Sequence, residues 1–301
     1  MPREARLISS TGKYHIVVKS LKEIDLFRDS QDKTKYLEII NKYKVKYGFT
    51  LYAYCLMGNH GHYIIDCLGA DLSTVIGCIN LSYSQYYNRK YDRYGPVFKG
   101  RFHSTPIEND RYMITVSAYI HNNPKDIPRY KEKVQLYPFS SLIEYINETN
   151  ESGVLTRSFL VELIGFKHKQ NKKAYLKLIR KSADLETEMD IEFTKVKSEY
   201  RSEKTFVART HVPGEIIDYV AKKLNQHPQD IYVKYRREYT KIRAITCLLM
   251  SNFCNMGHRQ ICQVMGNMTQ SGIAYLTAKG LGIVMAEREF IEDFVSIATS
   301  S

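Results

Sequence analysis

Two histidines stand two residues apart, at positions 60 and 62, where the sequence predicts the start of a strand. Side chains two residues apart in a strand point to the same face of the sheet, so both imidazoles should face the same way. Two neutral imidazoles on one face supply two of the ligands that a divalent metal ion needs. Taken alone, the pair fits better as two unrelated histidines of a polar turn.

A tyrosine and an asparagine form a second pair, Tyr119 and Asn123, near the end of a predicted helix. Residues four apart lie one turn from each other on the same helix face. The asparagine oxygen is a good ligand for Mg²⁺ or Mn²⁺, and a tyrosine beside such an ion could attack a phosphodiester. The alternative is a buried tyrosine on an amphipathic helix that ends before Pro124. His121 points away from Tyr119, and we expect it at the surface or in contact with DNA.

Hydrophobic periodicity predicts the elements that must position these residues. Strands are predicted over 14–19, 49–56 and 62–68, an extended segment over 97–107, and helices over 32–47, 72–88 and 110–123. The order β-α-β-β-α-β-α predicts an α+β fold in which an antiparallel sheet carries helices on one face.

The net charge of +12 comes from 44 basic and 32 acidic residues. Such an excess favours a polyanionic partner, with nucleic acid first and a membrane surface second. Tyrosines are interleaved with basic residues after the second predicted helix, a pattern that can follow phosphates and stack on unpaired bases. For any one of these side chains, a solvated helix end is an equally good interpretation. The basic residues in question are Arg89, Lys90, Arg93, Lys99 and Arg101.

Changes in composition divide the chain into three segments: 1–147 with the candidate chemistry, a helical and charge-rich connector over 148–205, and an apolar-periodic all-α segment over 206–301. Residues 239–279 read as a helix followed by a helix-turn-helix, whose second helix would begin at Thr269, Gln270 and Ser271. Early residues of such a helix face the major groove of DNA. A plain three-helix bundle that only packs is the alternative.

Four motifs occur in one order along residues 1–147: a strand-turn-strand over 51–65 with Met57, Asn59, His60 and His62; Gly95 to Phe102; Tyr119 to Pro124; and Tyr137 to Ser141. Together they resemble the REP-associated tyrosine transposases, a branch of the single-tyrosine HUH transposases. One position departs from the pattern, because Gly61 stands where a hydrophobic residue is usual.

The resemblance implies a ferredoxin- or RRM-like HUH fold, with His60, His62 and Asn123 holding Mg²⁺ or Mn²⁺ and Tyr119 as the nucleophile. It implies an enzyme that cleaves and rejoins single-stranded DNA at hairpin-bearing sites through a 5′-phosphotyrosine link, acting as a monomer or homodimer. A non-catalytic DNA- or RNA-binding regulator on the same fold and a replication-initiator-like nicking protein are the alternatives.

The C-terminal helix-turn-helix is similar to the DNA-binding domain that ends the DnaA initiator, which implies duplex DNA binding. The acidic-His-Ser-Thr signature of that domain is replaced here by Thr269-Gln270-Ser271-Gly272, so DnaA-box specificity is not implied. No stretch has the apolar length of a membrane span and the first residues lack a secretion-signal pattern. We therefore expect a cytoplasmic, nucleoid-associated protein without a membrane partner.

Overall fold

The computed structural model describes residues 7–22, 24–150, 152–182, 209, 211–233, 236–266 and 268–287. The chain divides into two compact units. The described residues of Met1–Asn41, Phe49–Cys67 and Asp71–Lys204 form the first, and those of Lys42–Gly48, Leu68–Ala70 and Thr205–Ser301 form the second. The later part of the predicted connector and the end of the predicted C-terminal segment lie outside the described residues.

The first unit is built on a four-stranded antiparallel sheet in the order β2-β3-β1-β4. The strands are β1 (Lys13–Lys19), β2 (Thr50–Leu56), β3 (His60–Asp66) and β4 (His103–Pro106). In the central pair, Lys13 lies opposite Asp66 and Lys19 lies opposite His60. The extended segment predicted over 97–107 forms a strand only in its last part. Its earlier part pairs with the chain at and just after the end of β1, through a bridge between Phe98 and Ser20.

Helices cover both faces of this sheet, so the expectation that they share one face is wrong. Helix α1 (Ser30–Tyr47) stacks Tyr36 on Tyr63, whereas helix α3 (Asp110–Asn122) brings Tyr119 against His62. Residues 62 and 63 are adjacent in β3 and therefore point to opposite faces. The central strands are buried along nearly their whole length, as is typical of a sheet covered on both sides.

Polar side chains fix where the helices of the first unit begin. Asp71 accepts a hydrogen bond from the Thr74 N–H at 2.7 Å and starts α2 (Leu72–Lys90). Asn109 accepts from the Tyr112 N–H at 2.7 Å and starts α3. Such caps satisfy N–H groups that lack a partner within the helix. The α3 helix ends at Asn122, directly before a short 3₁₀ turn that begins at Asn123.

The segment around Tyr137 to Ser141 covers the free edge of β2. The Leu56 N–H donates to the Phe139 carbonyl at 2.9 Å, and the Ser141 N–H donates to the Tyr54 carbonyl at 3.0 Å. The hydroxyl of Tyr137 donates to the Leu56 carbonyl at 2.6 Å. Pairing of this kind protects an edge strand against association with other chains. A short helix α4 (Leu142–Asn147) follows.

The described part of the predicted connector lies in the first unit. It forms α5 (Ser158–Ile164) and α6 (Lys169–Lys181). Tyr175 of α6 is buried against His121 of α3, and Phe166 stacks on Tyr145 of α4. These helices add a layer next to α3 because their few apolar residues face it, while their many charged residues face solvent.

The described part of the second unit includes four helices, α7 (Pro213–Lys223), α8 (Thr240–Phe253), α9 (His258–Met265) and α10 (Gln270–Ala286). Its core contains Val220, Ile245, Leu248, Ile261 and Ile273. The α8 and α10 helices approach closely at Gly280, where a Cβ would lie 2.2 Å from the Ala244 carbonyl oxygen. Across the described ranges, no helix combines the length and the apolar character needed to cross a membrane.

Candidate active site

The structure brings together the four residues in which the sequence suggested chemistry. His60 Nε2 lies 3.4 Å from the Asn123 Oδ1, and the His60 and His62 ring centroids are 5.0 Å apart. The Tyr119 ring is 5.6 Å from the His62 ring, centroid to centroid. β3 supplies the histidines, α3 supplies Tyr119, and Asn123 follows directly after the end of α3, so sheet–helix packing creates the site.

Hydrogen bonds orient the Asn123 amide and the His60 ring. The Asn123 Nδ2 donates to the Tyr119 carbonyl at 3.0 Å and to the Ile120 carbonyl at 3.4 Å, which leaves Oδ1 turned towards His60. His60 Nδ1 lies 2.6 Å from Asn59 Oδ1. When Nδ1 carries the proton and donates to Asn59, the Nε2 lone pair faces the Asn123 oxygen. Two acceptors facing each other at this distance would be stabilised by a cation between them.

Burial keeps the histidines of the site neutral. Desolvation lowers the pKa of His60, although its contact with Asn123 opposes the shift. Desolvation also lowers the pKa of His62 well below its usual value, helped by the nearby His15 and His60. A neutral imidazole is the form that binds a metal ion. The two histidines are therefore in the ligating form at neutral pH.

A third histidine, His15 of β1, belongs to the same cluster and was not singled out from the sequence. Its Nε2 lies 3.1 Å from His62 Nδ1, and the two rings are stacked with centroids 5.3 Å apart. Its ring centroid is 6.1 Å from that of Tyr119. Burial lowers the pKa of His15 to about 3. The sequence offered only a histidine within a predicted strand; the register between β1 and β3 places it beside His62.

His121 is fully buried, so the expectation that it lies at the surface or contacts DNA is wrong. Its Nδ1 lies 2.8 Å from the Tyr175 hydroxyl and its Nε2 lies 2.7 Å from Ser141 Oγ. Burial lowers its pKa to about 3. The helix face opposite Tyr119 is covered by α6 and by the segment along β2, neither of which local periodicity could reveal.

Steric crowding explains why a glycine stands between the two site histidines, at position 61. A Cβ at Gly61 would lie 2.2 Å from the Tyr63 Oη and 3.3 Å from Leu56 Cδ2. Tyr63 is only 1% exposed and is held by stacking on Tyr36, so its ring has little room to move. The ring of Tyr63 thus takes the space that a larger side chain at position 61 would need.

The basic residues predicted to bind DNA fall into two groups. Arg89, Lys99 and Arg101 are exposed. Lys90 is engaged in ion pairs with Asp29 at 2.7 Å and with the buried Asp32 at 2.8 Å. Its charge is therefore largely compensated within the fold.

Arg93 lies over the Tyr87 ring, with one guanidinium nitrogen 3.3 Å from Asn88 Oδ1. The Lys99 N–H donates to the Lys19 carbonyl at 2.8 Å, which brings this loop to the end of β1. Lys19 is itself exposed and lies opposite His60 in the sheet, so it is a further basic residue beside the site.

The residues predicted to read duplex DNA lie at the start of α10. Thr269, Gln270 and Ser271 are exposed. The Thr269 hydroxyl caps the helix by accepting from the Gly272 N–H at 3.1 Å. Gly266, with φ of +60°, ends the preceding helix α9.

The side chains of His60, His62 and Asn123 fit a small divalent cation. The carboxamide oxygen is a ligand type that suits Mg²⁺ and Mn²⁺, and the two imidazole nitrogens are a ligand type that suits other divalent ions. No group of three or more His, Cys, Asp or Glu side chains is placed to hold a metal ion in the part of the chain that the structure describes. The candidate set differs from such groups because an amide replaces one of these residues.

Comparison with known proteins finds similarity in the N-terminal part of the chain. Residues 8–123 match the family model described as "Transposase IS200 like". A solved structure described as "Structure of the REP associates tyrosine transposase bound to a REP hairpin" is similar at 19% identity and a TM-score of 0.41. The similarity covers 51% of this chain and 88% of that chain. No curated protein matches the sequence.

Proposed function

We propose that the first unit is a DNA strand transferase that cleaves and rejoins single-stranded DNA at hairpin-bearing sites, with Tyr119 as the nucleophile. The observation that carries the proposal is the meeting of Tyr119 with His60, His62 and Asn123 inside the segment that matches the transposase family. A protein that only binds nucleic acid has no need of a tyrosine beside three candidate metal ligands.

His60, His62 and Asn123 would hold Mg²⁺ or Mn²⁺, which supplies positive charge to the scissile phosphate and lowers the pKa of a nearby phenol from about 10. Tyr119 Oη loses its proton and forms a bond to phosphorus, while the bond from phosphorus to the 3′ oxygen breaks. The 3′ oxygen takes up a proton and leaves as a hydroxyl. The DNA 5′ phosphate is then linked to Tyr119, and attack by another 3′ hydroxyl reverses these steps without an external energy source.

The fold holds the reacting groups on two regular elements rather than on loops. β3 fixes both histidines, and the amide of Asn123 is tied to the α3 backbone that carries Tyr119. Positioning of this kind lowers the entropic cost of bringing nucleophile and phosphate together. Exposed Lys19, Lys99 and Arg101 would follow the phosphates of the single strand next to the site.

The second unit would hold the complex on duplex DNA through α9 and α10, with Thr269, Gln270 and Ser271 towards the bases. Support comes from the cap at Thr269 and from a groove of about 400 Å³ in the same unit. Its lining residues are Arg237, Thr240, Arg243, Met268, Gly272, Tyr275, Leu276 and Lys279, of which three are cationic. A cationic groove beside the second helix suits a DNA phosphate backbone.

A covalent-adduct assay tests the enzymatic part. The full chain is incubated with single-stranded DNA that carries a hairpin and a flanking single strand, with Mg²⁺ or Mn²⁺ added. We expect an adduct that survives denaturation, is lost in Tyr119→Phe and persists in Tyr112→Phe, a matched change on the same helix. Tight binding without an adduct under either ion would refute the enzyme and favour a non-catalytic regulator.

A second strand with a free 3′ hydroxyl distinguishes transfer from nicking. A strand transferase joins the phosphotyrosine-linked DNA to this acceptor and releases free protein. A nicking initiator accumulates the adduct and leaves the acceptor unjoined. The ratio of joined product to adduct therefore distinguishes a strand transferase from a nicking initiator.

A further inference from the structure

His15 is a buried histidine of the candidate site to which the mechanism above gives no role. It lies on the face of β1 that also carries Val17, which is opposite His62 in the sheet. Its Nε2 is 3.1 Å from His62 Nδ1, the rings are nearly parallel at 18°, and His15 is only 8% exposed. The contact is thus shielded from water and has a defined geometry.

The contact joins His15 Nε2 to His62 Nδ1, so the tautomers of the two rings are linked. Both rings are buried, with His15 at 8% and His62 at 5% exposure. A short contact between two neutral imidazoles needs one N–H donor and one lone pair. When His62 donates from Nδ1, its Nε2 keeps the lone pair required for a metal ion; the opposite arrangement places the proton on Nε2.

We propose that His15 is a positioning residue that accepts the His62 Nδ1–H and so holds His62 in the tautomer with a free Nε2 lone pair. This role rests on the metal site of the proposed function, since His62 is a ligand there. Partners of metal-bound histidines orient the ring and raise its basicity, and their loss typically costs 10–100-fold in metal affinity.

Two substitutions separate hydrogen bonding from packing. His15→Gln keeps a polar group at the place of Nε2, whereas His15→Leu keeps an apolar side chain of similar reach and removes the acceptor. His168→Leu is the matched control, because His168 is an exposed histidine directly before α6. Circular dichroism spectra and melting curves of the full chain check that each variant is folded.

Two measurements are made on these proteins without DNA. ¹H–¹⁵N spectra of the imidazole nitrogens report the tautomer of His62, and calorimetry reports Mn²⁺ affinity. We expect the Nδ1–H tautomer in the wild type and in His15→Gln. We expect mixed tautomers and about 10–100-fold weaker Mn²⁺ binding in His15→Leu, with no change in His168→Leu.

The outcomes separate this inference from the proposed function. A wild-type His62 protonated at Nε2, or a His15→Leu protein with unchanged tautomer and unchanged Mn²⁺ affinity, overturns the role of His15. A wild type that shows the expected tautomer but binds no Mn²⁺ refutes the metal site and leaves the hydrogen-bonding role of His15 in place. If His15→Leu does not fold, the wild-type tautomer and His15→Gln still decide.

Discussion

The hydroxyl of Tyr175 ties α6 to α3, and its removal tests whether this contact holds the helix that carries Tyr119. Ser117 donates its hydroxyl proton to the Ile114 carbonyl at 2.8 Å. Tyr175 therefore donates to Ser117 Oγ at 2.9 Å and accepts from His121 Nδ1 at 2.8 Å. In Tyr175→Phe the ring remains, while the buried N–H of His121 loses its acceptor.

The size of the effect follows mainly from the unpaired His121 N–H, because Ser117 keeps its hydrogen bond to the Ile114 carbonyl. The substitution leaves almost no cavity, because only one oxygen atom is removed from a ring that keeps its packing. A buried donor without a partner costs about 1–3 kcal/mol. We expect the free energy of opening of α3 to fall by about 2 kcal/mol, which corresponds to roughly thirtyfold faster amide exchange, since 1.4 kcal/mol is tenfold.

Hydrogen exchange measured by mass spectrometry on the full chain provides the assay. Peptides covering residues 110–122 should exchange roughly thirtyfold faster in Tyr175→Phe, and peptides from α8 in the second unit should be unchanged. Tyr94→Phe is the matched control, because the same oxygen is removed from a side chain that is 90% exposed. Exchange of α3 within about threefold of the wild type would refute the role given to this contact.

Three further substitutions test other parts of the structure. Gly61→Val should destabilise the first unit by about 1–3 kcal/mol in urea unfolding, because the valine side chain meets the Tyr63 ring. A second change, Tyr63→Leu, should restore part of this stability. If it restores none, the steric explanation is wrong. Gly280→Ala should lower the melting temperature of the second unit, because the added methyl group clashes with the α8 backbone. Gly282→Ala on the same helix is the control, since its methyl group meets nothing within 4 Å. Equal melting temperatures of the two variants would contradict the clash. Lys99→Ala should weaken single-stranded DNA binding and reduce the slope of log affinity against log salt by about 1; an unchanged slope would exclude a phosphate contact.

Local periodicity predicted the geometry of the candidate site, while the four ordered motifs in residues 1–147 distinguished it from unrelated histidine and tyrosine pairs. A period of two placed His60 and His62 on one face, and a spacing of four placed Tyr119 and Asn123 on one turn; the structure shows both relations. The start of α10 at Thr269 could likewise be predicted, because a capping residue acts within its own helix turn. Each of these features depends on residues close together in the chain.

The features that could not be predicted depend on contacts between distant parts of the chain. The register of β1 against β3 decides that His15 meets His62, and sequence alone does not fix a register. Burial of His121 depends on Tyr175, which is distant in sequence, and compensation of the Lys90 charge depends on Asp29 and Asp32. The arrangement of helices on both faces was missed for the same reason.

The side chains that fix the candidate site extend beyond the segment that matches the transposase family. That segment ends at residue 123 and includes both histidines, Tyr119 and Asn123. The partners of His121, however, are Ser141 and Tyr175, and Ser141 also accepts from the Tyr54 N–H at 2.9 Å at the edge of β2. A chain cut after Asn123 would keep every proposed ligand but leave two buried nitrogens of His121 without partners. The site is therefore a property of the sheet together with α6, because the position of α3 depends on both.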